Sequence, residues 1–535
     1  MEQTQLFYNI LDLQEHIGLL VIQNAEITSF NSEGPIVKYI ECVVEEMINK
    51  INSMLIIDIN FTVNENNTLP NNLSFYQTIY TYFYSLASMV CKYNQYVIVR
   101  FPQLFKSKYK TANINFKVII DNSTSQLIYN NTQRGLNTID LKDTKSESIL
   151  SKITPELLLP ESVKLFSFND ICFAGSFDHF HIGHNIILQM SLLLCKDTIN
   201  IGVTSDKMIS HKGDPSILQY SQYRMDYIRR IIDINGYQAE TININQIYDP
   251  IDFAGISKTL QCLVLTSETI KGGVLVNQTR ENNHLNKVEL VALNVIDCGE
   301  TNTMKISSSI IRKDILSRID KEKMNYLYEQ WIKVNEQVGV NKENVICWWN
   351  RIRDEYMKKW KKYHNLNHIY SMIKQYEDNQ VNDINFWYAI WFHDIVYIPM
   401  RKDNEMLSIK MFEEFYNENK NELNNKIHCT EVNEYIKETE NHLLSKENNN
   451  KKIDMFLDFD MMIMATDNIE QYENEIRGEY SNISTEEYIK GRSDFLNKIL
   501  SKPHIYRTDS YISQYEEKAR HNINKLLKQL NSLEK

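Results

Sequence analysis

The chain of 535 residues carries 58 Lys and Arg against 69 Asp and Glu, a formal net charge of −11. Ordinary usage would give a chain of this length roughly 37 Gly and 27 Pro, yet it has 15 and 9. That scarcity of turn-formers excludes collagen-like, Gly/Ser-linker and β-propeller architectures. The acidic balance argues against general nucleic-acid or membrane-surface binding, which favours basic patches.

With 43% hydrophobic and 24% charged residues, the chain reads as globular and long enough for two or three domains. Its eight cysteines (Cys42, Cys91, Cys172, Cys195, Cys262, Cys298, Cys347, Cys429) show no paired spacing and read as reduced intracellular thiols. The first residues lack a basic region leading into an apolar stretch, so no signal peptide is expected. No segment reaches the roughly 18 apolar residues of a membrane span. A soluble, cytoplasmic protein is expected.

In chain order, residues 1–160 mix strand-like runs at 18–22, 54–59, 96–99 and 116–120 with helical stretches at 37–51 and 74–93. They predict an α/β accessory region, bounded by Pro155 and Pro160, with no catalytic constellation. Between residues 165 and 315, short apolar runs at 171–174, 200–203, 262–266 and 289–295 alternate with helical stretches, which predicts a parallel α/β sheet. From about residue 322 to 535 the pattern is helical, as at 324–338 and 386–397. No internal repeat and no P-loop is found.

The densest chemical signal is Gly175-Ser-Phe-Asp178 followed by His181-Ile-Gly-His184. An apolar strand runs into Gly175, and a helix is expected to start near His181. Helix N-termini offer unpaired N–H groups and a positive dipole end, which suit phosphate. Gly183 is expected to let a nucleotide approach the backbone. Nine of the 15 glycines lie between residues 171 and 312 (Gly175, Gly183, Gly202, Gly213, Gly236, Gly255, Gly272, Gly273 and Gly299), which suggests that they serve backbone–phosphate contacts.

These residues resemble the HxGH nucleotidyltransferases, whose fold is Rossmann-like, and Ile306-Ser-Ser-Ser-Ile-Ile-Arg312 resembles their second motif, I-S-S-T-x-x-R. Thr266-Ser-Glu-Thr-Ile-Lys-Gly-Gly-Val-Leu-Val-Asn-Gln-Thr-Arg280 is similar to the eukaryotic coenzyme A synthase type of phosphopantetheine adenylyltransferase, with a Gly-Gly turn after a strand end. That resemblance covers about residues 165–315 and implies transfer of AMP from ATP to 4′-phosphopantetheine, with Mg²⁺. It implies catalytic roles for His184, His181, Ser176 and Lys212, and nucleotide contacts by Gly175, Phe177, Asp178, Gly183, Ser308, Ser309 and Arg312. Substrate contacts would come from Lys212, Glu268, Gly272, Gly273, Asn277 and Arg280. His179 reads as structural. With no P-loop kinase in the chain, a separate dephospho-coenzyme A kinase is expected.

The helical third holds Tyr363-His-Asn-Leu-Asn-His368 and, 25 residues after His368, His393-Asp394. Imidazole and carboxylate ligands from separate helices can build a metal site that activates water. With Asp403-Asn-Glu405, Ser408, Thr439-Glu-Asn-His442, Asp458, Asp460, Arg492 and Arg520 following in order, this region resembles predicted HD-type metal-dependent phosphohydrolases. The resemblance implies His368, His393, Asp394 and Asp458 as ligands of a divalent transition metal or Mg²⁺, with His364 and Asp460 as alternatives. The expected architecture is therefore a Rossmann-like parallel-sheet domain, preceded by an α/β region and followed by an all-α HD-type domain. Neither nucleic acid nor a membrane is expected as a partner, and oligomerisation is left open. The competing functions are another HxGH transferase, of CTP or NMN type, and a non-catalytic sensor of coenzyme A or ATP.

Overall fold

The computed structural model describes residues 17–25, 54–61, 73–90, 96–101, 114–121, 126–130, 162–235, 241–293, 307–423, 426–441, 450–481 and 483–533. Contacts gather residues 15–314 into one compact unit, which holds two sheets, and residues 315–535 into another.

The first sheet has the order β3-β2-β1-β4-β5, from β1 (Ile17–Ala25), β2 (Met54–Phe61), β3 (Tyr96–Arg100), β4 (Ile114–Asp121) and β5 (Gln126–Asn130). Only the β4–β5 pair is antiparallel. All four strand-like runs of this region fall on strands, while the helical stretch at 37–51 lies outside the described residues. Helix α1 (Leu73–Val90) connects β2 to β3. It also meets the second sheet's elements: Leu73 N–H donates to the Val163 carbonyl at 2.9 Å, and the Tyr80 hydroxyl bonds Gln189 Oε1 at 3.1 Å.

The second sheet is wholly parallel, with order β10-β9-β6-β7-β8, from β6 (Phe168–Gly175), β7 (Cys195–Thr204), β8 (Thr241–Ile247), β9 (Cys262–Thr266) and β10 (Glu289–Leu293). Ile199, Asn200, Ile201, Gly202 and Val203 of β7 are buried in succession, as expected of a strand covered on both faces. Helices α2 (Ile182–Leu194), α3 (Ser221–Asn235) and α4 (Ile270–Asn282) connect its strands, and α5 (Ser308–Arg318) follows. β8 was not among the expected strands, although Ile242-Asn-Ile244-Asn alternates with period two and Ile244 and Ile247 are buried. Chain order steps from β6 out to β8 on one side and then returns to β9 on the other. The β6–β9 junction is thus a topological switch point, where open α/β sheets bind ligands beyond their strand ends.

The described part of the C-terminal unit is helical throughout. Helix α6 (Lys321–Val338) shows why: Asp320 caps it by accepting from Glu322 N–H, and Met324, Leu327, Trp331 and Val338 recur on one buried face. Gly339, at φ 89°, ends it in the left-handed conformation. The next helices are α7 (Lys342–Tyr356), α8 (Leu366–Asp378) and α9 (Ile384–Phe392). After them come α10 (Asn404–Glu418), α11 (Cys429–Glu438), α12 (Lys451–Met461), α13 (Ile469–Glu479), α14 (Thr485–Leu500) and α15 (Asp509–Leu533). No described helix is long and apolar enough to cross a membrane.

Trp331 sits at the hub of this core. Its ring lies 5.3 Å from Trp391 and 5.8 Å from Trp387, and its Nε1–H donates to the Val345 carbonyl at 2.9 Å. Trp331→Ala is expected to lower the stability of this unit by about 3–5 kcal/mol through lost burial and an unfilled cavity. Chemical denaturation followed by tryptophan fluorescence measures that loss.

Candidate functional site

In the parallel-sheet domain, β6 ends at Gly175 and α2 begins at Ile182 with His181 as its N-cap. Gly183 N–H donates to His181 Nδ1 at 3.1 Å, and His181 N–H donates to His184 Nδ1 at 3.4 Å. Backbone N–H groups only donate, so both Nδ1 atoms are unprotonated acceptors. Each neutral imidazole must then carry its proton on Nε2 and offer it as a donor. The rings stack at 3.9 Å between centroids. Burial, joined by the positive charge of neighbouring groups, lowers His181 to about 4 and His184 well below its usual value. The site therefore holds two neutral Nε2–H donors at a helix N-terminus, an arrangement suited to phosphate oxygens.

The loop that carries them is fastened from several sides. Phe177 and His179 adopt positive φ (51° and 44°), which costs energy for residues other than glycine. Asp178 is fully buried; its carboxylate accepts from Gln219 N–H at 2.9 Å and from the Arg312 guanidinium. Arg312 also donates to Ser309 Oγ at 3.1 Å, which ties the start of α5 to this loop. Ser308 opens α5, and Ile306 lies outside the described residues. His179 is structural: its Nε2 bonds the Ile217 carbonyl at 2.9 Å, and its N–H donates to Gln219 Oε1. Ser176 lies half-buried on this loop. Lys212 ends the turn Ser210–Lys212, is exposed, and its charge reaches His184.

Several expectations are corrected here. At Gly183 a Cβ would meet the His181 ring at 3.1 Å, so the glycine makes room for the capping histidine. Gly175 likewise faces the Phe177 ring at 3.2 Å. Phe177, expected at the nucleotide, is 2% exposed and packs on Phe173 and against His184. The expected Gly-Gly turn is the first part of α4, where a Cβ on Gly273 would strike Leu265.

Asn277 spends its amide on Val288 N–H and C=O, at 2.9 and 3.0 Å. Arg280, 1% exposed, spends its guanidinium on the carbonyls of Ala254, Ser257 and Asn286. Both fasten the chain around α4. Glu268 is exposed. A cavity of about 460 Å³ lies across β6–β9 and the start of α4, lined by Ala174, Thr204, Asn245 and Asp252, and of the expected residues only Gly175 and Gly272 line it.

Arg224 was not singled out from the sequence. It is 1% exposed on α3 and bonds the carbonyls of Ser176 and Gln219 and the Asp206 carboxylate, so it holds the loop from below. No motif marks it; only a charged residue on the buried side of an amphipathic helix could have drawn notice.

The second constellation forms within the C-terminal unit. His368 lies in the first turn of α8, capped by Asn365, and His393 caps the end of α9. The helix expected over 386–397 stops at Phe392 because later backbone groups find other partners. Val396 and Ile398 N–H donate to Ser408 Oγ and Asn404 Oδ1, and buried Lys361 Nζ donates to the carbonyls of Asp394 and Ile395. Asp394 is thereby turned toward the histidines.

Ligand atoms of His368, His393, Asp394 and Asp460 all lie within 4.8 Å of one another. His368 Nε2 is 3.0 Å from Asp460 and 3.1 Å from His393 Nε2. His393 Nδ1 bonds the Ile390 carbonyl at 3.0 Å, so its Nε2 lone pair faces the cluster. Burial alone would lower His393, but the Asp394 and Asp460 carboxylates raise it to about 9; His393 in turn depresses Asp394. Two imidazoles and two carboxylates converging this closely favour a cation, and the mixed N/O donor set fits a divalent metal.

The fourth member is Asp460, not Asp458. Two residues apart on α12, they point about 200° apart. Asp458 accepts from Arg507 N–H and from Thr508 N–H and Oγ, tying α12 to the start of α15, and burial pushes its carboxyl up to about 6. His364 also stands outside the cluster, paired with Glu479 at 2.6 Å. Asn404 and Ser408 fasten the ligand loop, Arg492 pairs with Glu473, and Arg520 with Glu516. His442 lies outside the described residues.

Residues 172–314 match the cytidylyltransferase-like family. The phosphopantetheine adenylyltransferase of Thermococcus kodakarensis is 31% identical over 151 residues, 28% of this chain and 87% of that protein. That of Saccharomyces cerevisiae is 25% identical over 150 residues, 27% of this chain and 48% of that protein. A solved structure of a protein of unknown function from Archaeoglobus fulgidus is 24% identical, covering 24% of this chain and 99% of that one, with a TM-score of 0.21. The chain belongs to the cytidylyltransferase-like nucleotidyltransferases. Within them, its domain over this region is of phosphopantetheine adenylyltransferase type.

One substitution and one pair of substitutions test these assignments. Arg280→Met is expected to cost about 2–4 kcal/mol of stability by orphaning three buried carbonyls, measured by denaturant titration. Asp460→Asn should abolish high-affinity Mn²⁺ binding, read by calorimetry, whereas Asp458→Asn should lower thermal stability and keep the metal.

Proposed function

We propose that the domain over residues 165–315 transfers AMP from ATP to 4′-phosphopantetheine, giving dephospho-coenzyme A and pyrophosphate. One observation carries this reading furthest: the stacked His181–His184 pair, each with Nδ1 filled by a backbone N–H and Nε2–H free to donate. The substrate phosphate is already an adequate nucleophile, so the protein's task is to align it and to neutralise charge that develops at the α-phosphorus. An oxygen of 4′-phosphopantetheine bonds to that phosphorus as the bond to the pyrophosphate oxygen breaks, and pyrophosphate leaves with the electron pair. His184 would donate to the α-phosphate and His181 to its neighbours. Arg312, aimed by Asp178, and the Ser308–Ser309 turn would hold the outer phosphates. Mg²⁺ arrives with ATP, Lys212 supplies mobile positive charge, and Ser176 lies on the loop between them. The archaeal and yeast adenylyltransferases named above support this choice of substrate. Phosphorylation of the product would fall to a separate dephospho-coenzyme A kinase.

A second reading concerns the C-terminal unit and rests on the four-residue cluster. It would act as a metal-dependent phosphohydrolase of HD type, in which His368, His393, Asp394 and Asp460 hold one divalent ion. Such an ion would supply activation of a water, whose oxygen would bond to phosphorus as the ester P–O bond breaks and the alcohol leaves with a proton.

Pyrophosphate release by the full-length protein with ATP and 4′-phosphopantetheine tests the first reading. Turnover is expected in the wild type, with a fall of about 10²–10³ in His184→Ala, the scale of one lost donor to transition-state charge. Turnover with CTP alone, with nicotinamide mononucleotide as acceptor, or none at all would overturn it.

A further inference from the structure

Beside the four-residue cluster lies a second built feature that metal binding does not use. Glu479, at the end of α13, is 3% exposed, and both its oxygens are committed to one turn of chain. Oε1 accepts from Tyr363 N–H and His364 N–H at 2.8 and 2.9 Å, and Oε2 meets His364 Nδ1 at 2.6 Å. The carboxylate can only accept, so Nδ1 carries the proton of this pair; Nε2 is the atom left for a ligand, and it donates an N–H in the imidazolium form that pairing with Glu479 favours. The imidazole lies flat on Tyr397, 3.6 Å between centroids and 20° between planes, with Tyr363 edge-on at 5.0 Å. The Tyr397 hydroxyl is in turn bonded to that of Tyr480 at 3.2 Å. The ring is thus oriented from three sides.

It is also next to the cluster. Its centroid is 6.3 Å from that of His368, and the Asp394 and Asp460 carboxylates act on it electrostatically. A second metal is a poor fit to this place, because Glu479 has no oxygen to spare and His364 alone supplies one donor. An anion fits better. A metal ion and an imidazolium N–H on neighbouring groups can share one phosphate, through a metal–oxygen contact of about 2 Å and a charge-assisted N–H···O of about 2.8 Å.

We propose that His364, oriented by Glu479 and Tyr397, forms a phosphate seat beside the metal cluster, so that the C-terminal site takes phosphomonoesters, with the phosphate shared between metal and His364 Nε2. This rests on the metal reading of the cluster. His364 is the group that touches the phosphate; Glu479 is a positioning residue, holding the ring and the backbone of its turn together.

The test uses the full-length protein loaded with Co²⁺, whose visible spectrum reports directly on the cluster, and inorganic phosphate as the probe. Phosphate should shift the wild-type spectrum saturably. His364→Ala and His364→Gln should bind Co²⁺ within about twofold of wild type yet weaken phosphate about tenfold or more, the scale of one charge-assisted hydrogen bond. Glu479→Gln should weaken phosphate less, since one oxygen remains for the turn's N–H groups. Co²⁺ uptake with wild-type phosphate affinity in both His364 variants would overturn the seat alone. Failure of the wild type to take up Co²⁺ would overturn the metal reading and the seat together.

Discussion

A carboxylate sealed from water must be paired or it costs several kcal/mol, and Asp178 is such a group. Fully buried, it accepts from Gln219 N–H on one side and from Arg312 on the other. Those partners come from separate parts of the chain: Gln219 precedes α3, and Arg312 lies on α5, 134 residues from Asp178. One buried charge therefore brings the two nucleotide motifs into register. Arg224 performs the complementary task from α3, joining Ser176, Gln219 and Asp206. Between these clamps the loop holds Phe177 and His179 at positive φ, and the following helix opens with its two histidines already facing the same way.

The same logic appears in the C-terminal unit with different parts. Imidazole nitrogens that should not face the site are occupied by the fold: His393 Nδ1 by the Ile390 carbonyl and His364 Nδ1 by Glu479. Asp394 is aimed by ending α9 early and capturing the following carbonyls with Lys361. Both sites sit where a helix starts or stops, because only there are backbone groups available to orient side chains.

Much of this was legible in residue order. Short apolar runs marked the strands of the first sheet except β5, and the fusion of strand, Gly175 loop and His181–His184 marked the start of α2. What escaped was decided by partners distant in sequence. Asp458 and Asp460 are alike in type and two positions apart. Only the approach of Thr508, 50 residues on, shows which one is spent on a helix start. Asn277 and Arg280 look like ligands along the chain, yet their polar atoms are consumed by carbonyls and an N–H brought near by the β8–β9 connection and the approach to β10. At Gly175 and Gly183 a Cβ would meet the rings of Phe177 and His181 and at Gly273 it would meet Leu265, whereas at Gly272 nothing lies within 4 Å. A backbone position that cannot bear a Cβ says that something is close; it does not say whether that is ligand or side chain.

The central claim is that the buried Asp178–Arg312 pair organises the nucleotide site. Equilibrium binding of Mg²⁺–ATP to folded Asp178→Asn protein tests it most directly. Arg312 released from its only carboxylate partner among the described contacts should leave ATP affinity weaker by about tenfold or more, as expected when a charged donor loses its alignment. Wild-type affinity in the folded variant would contradict the account.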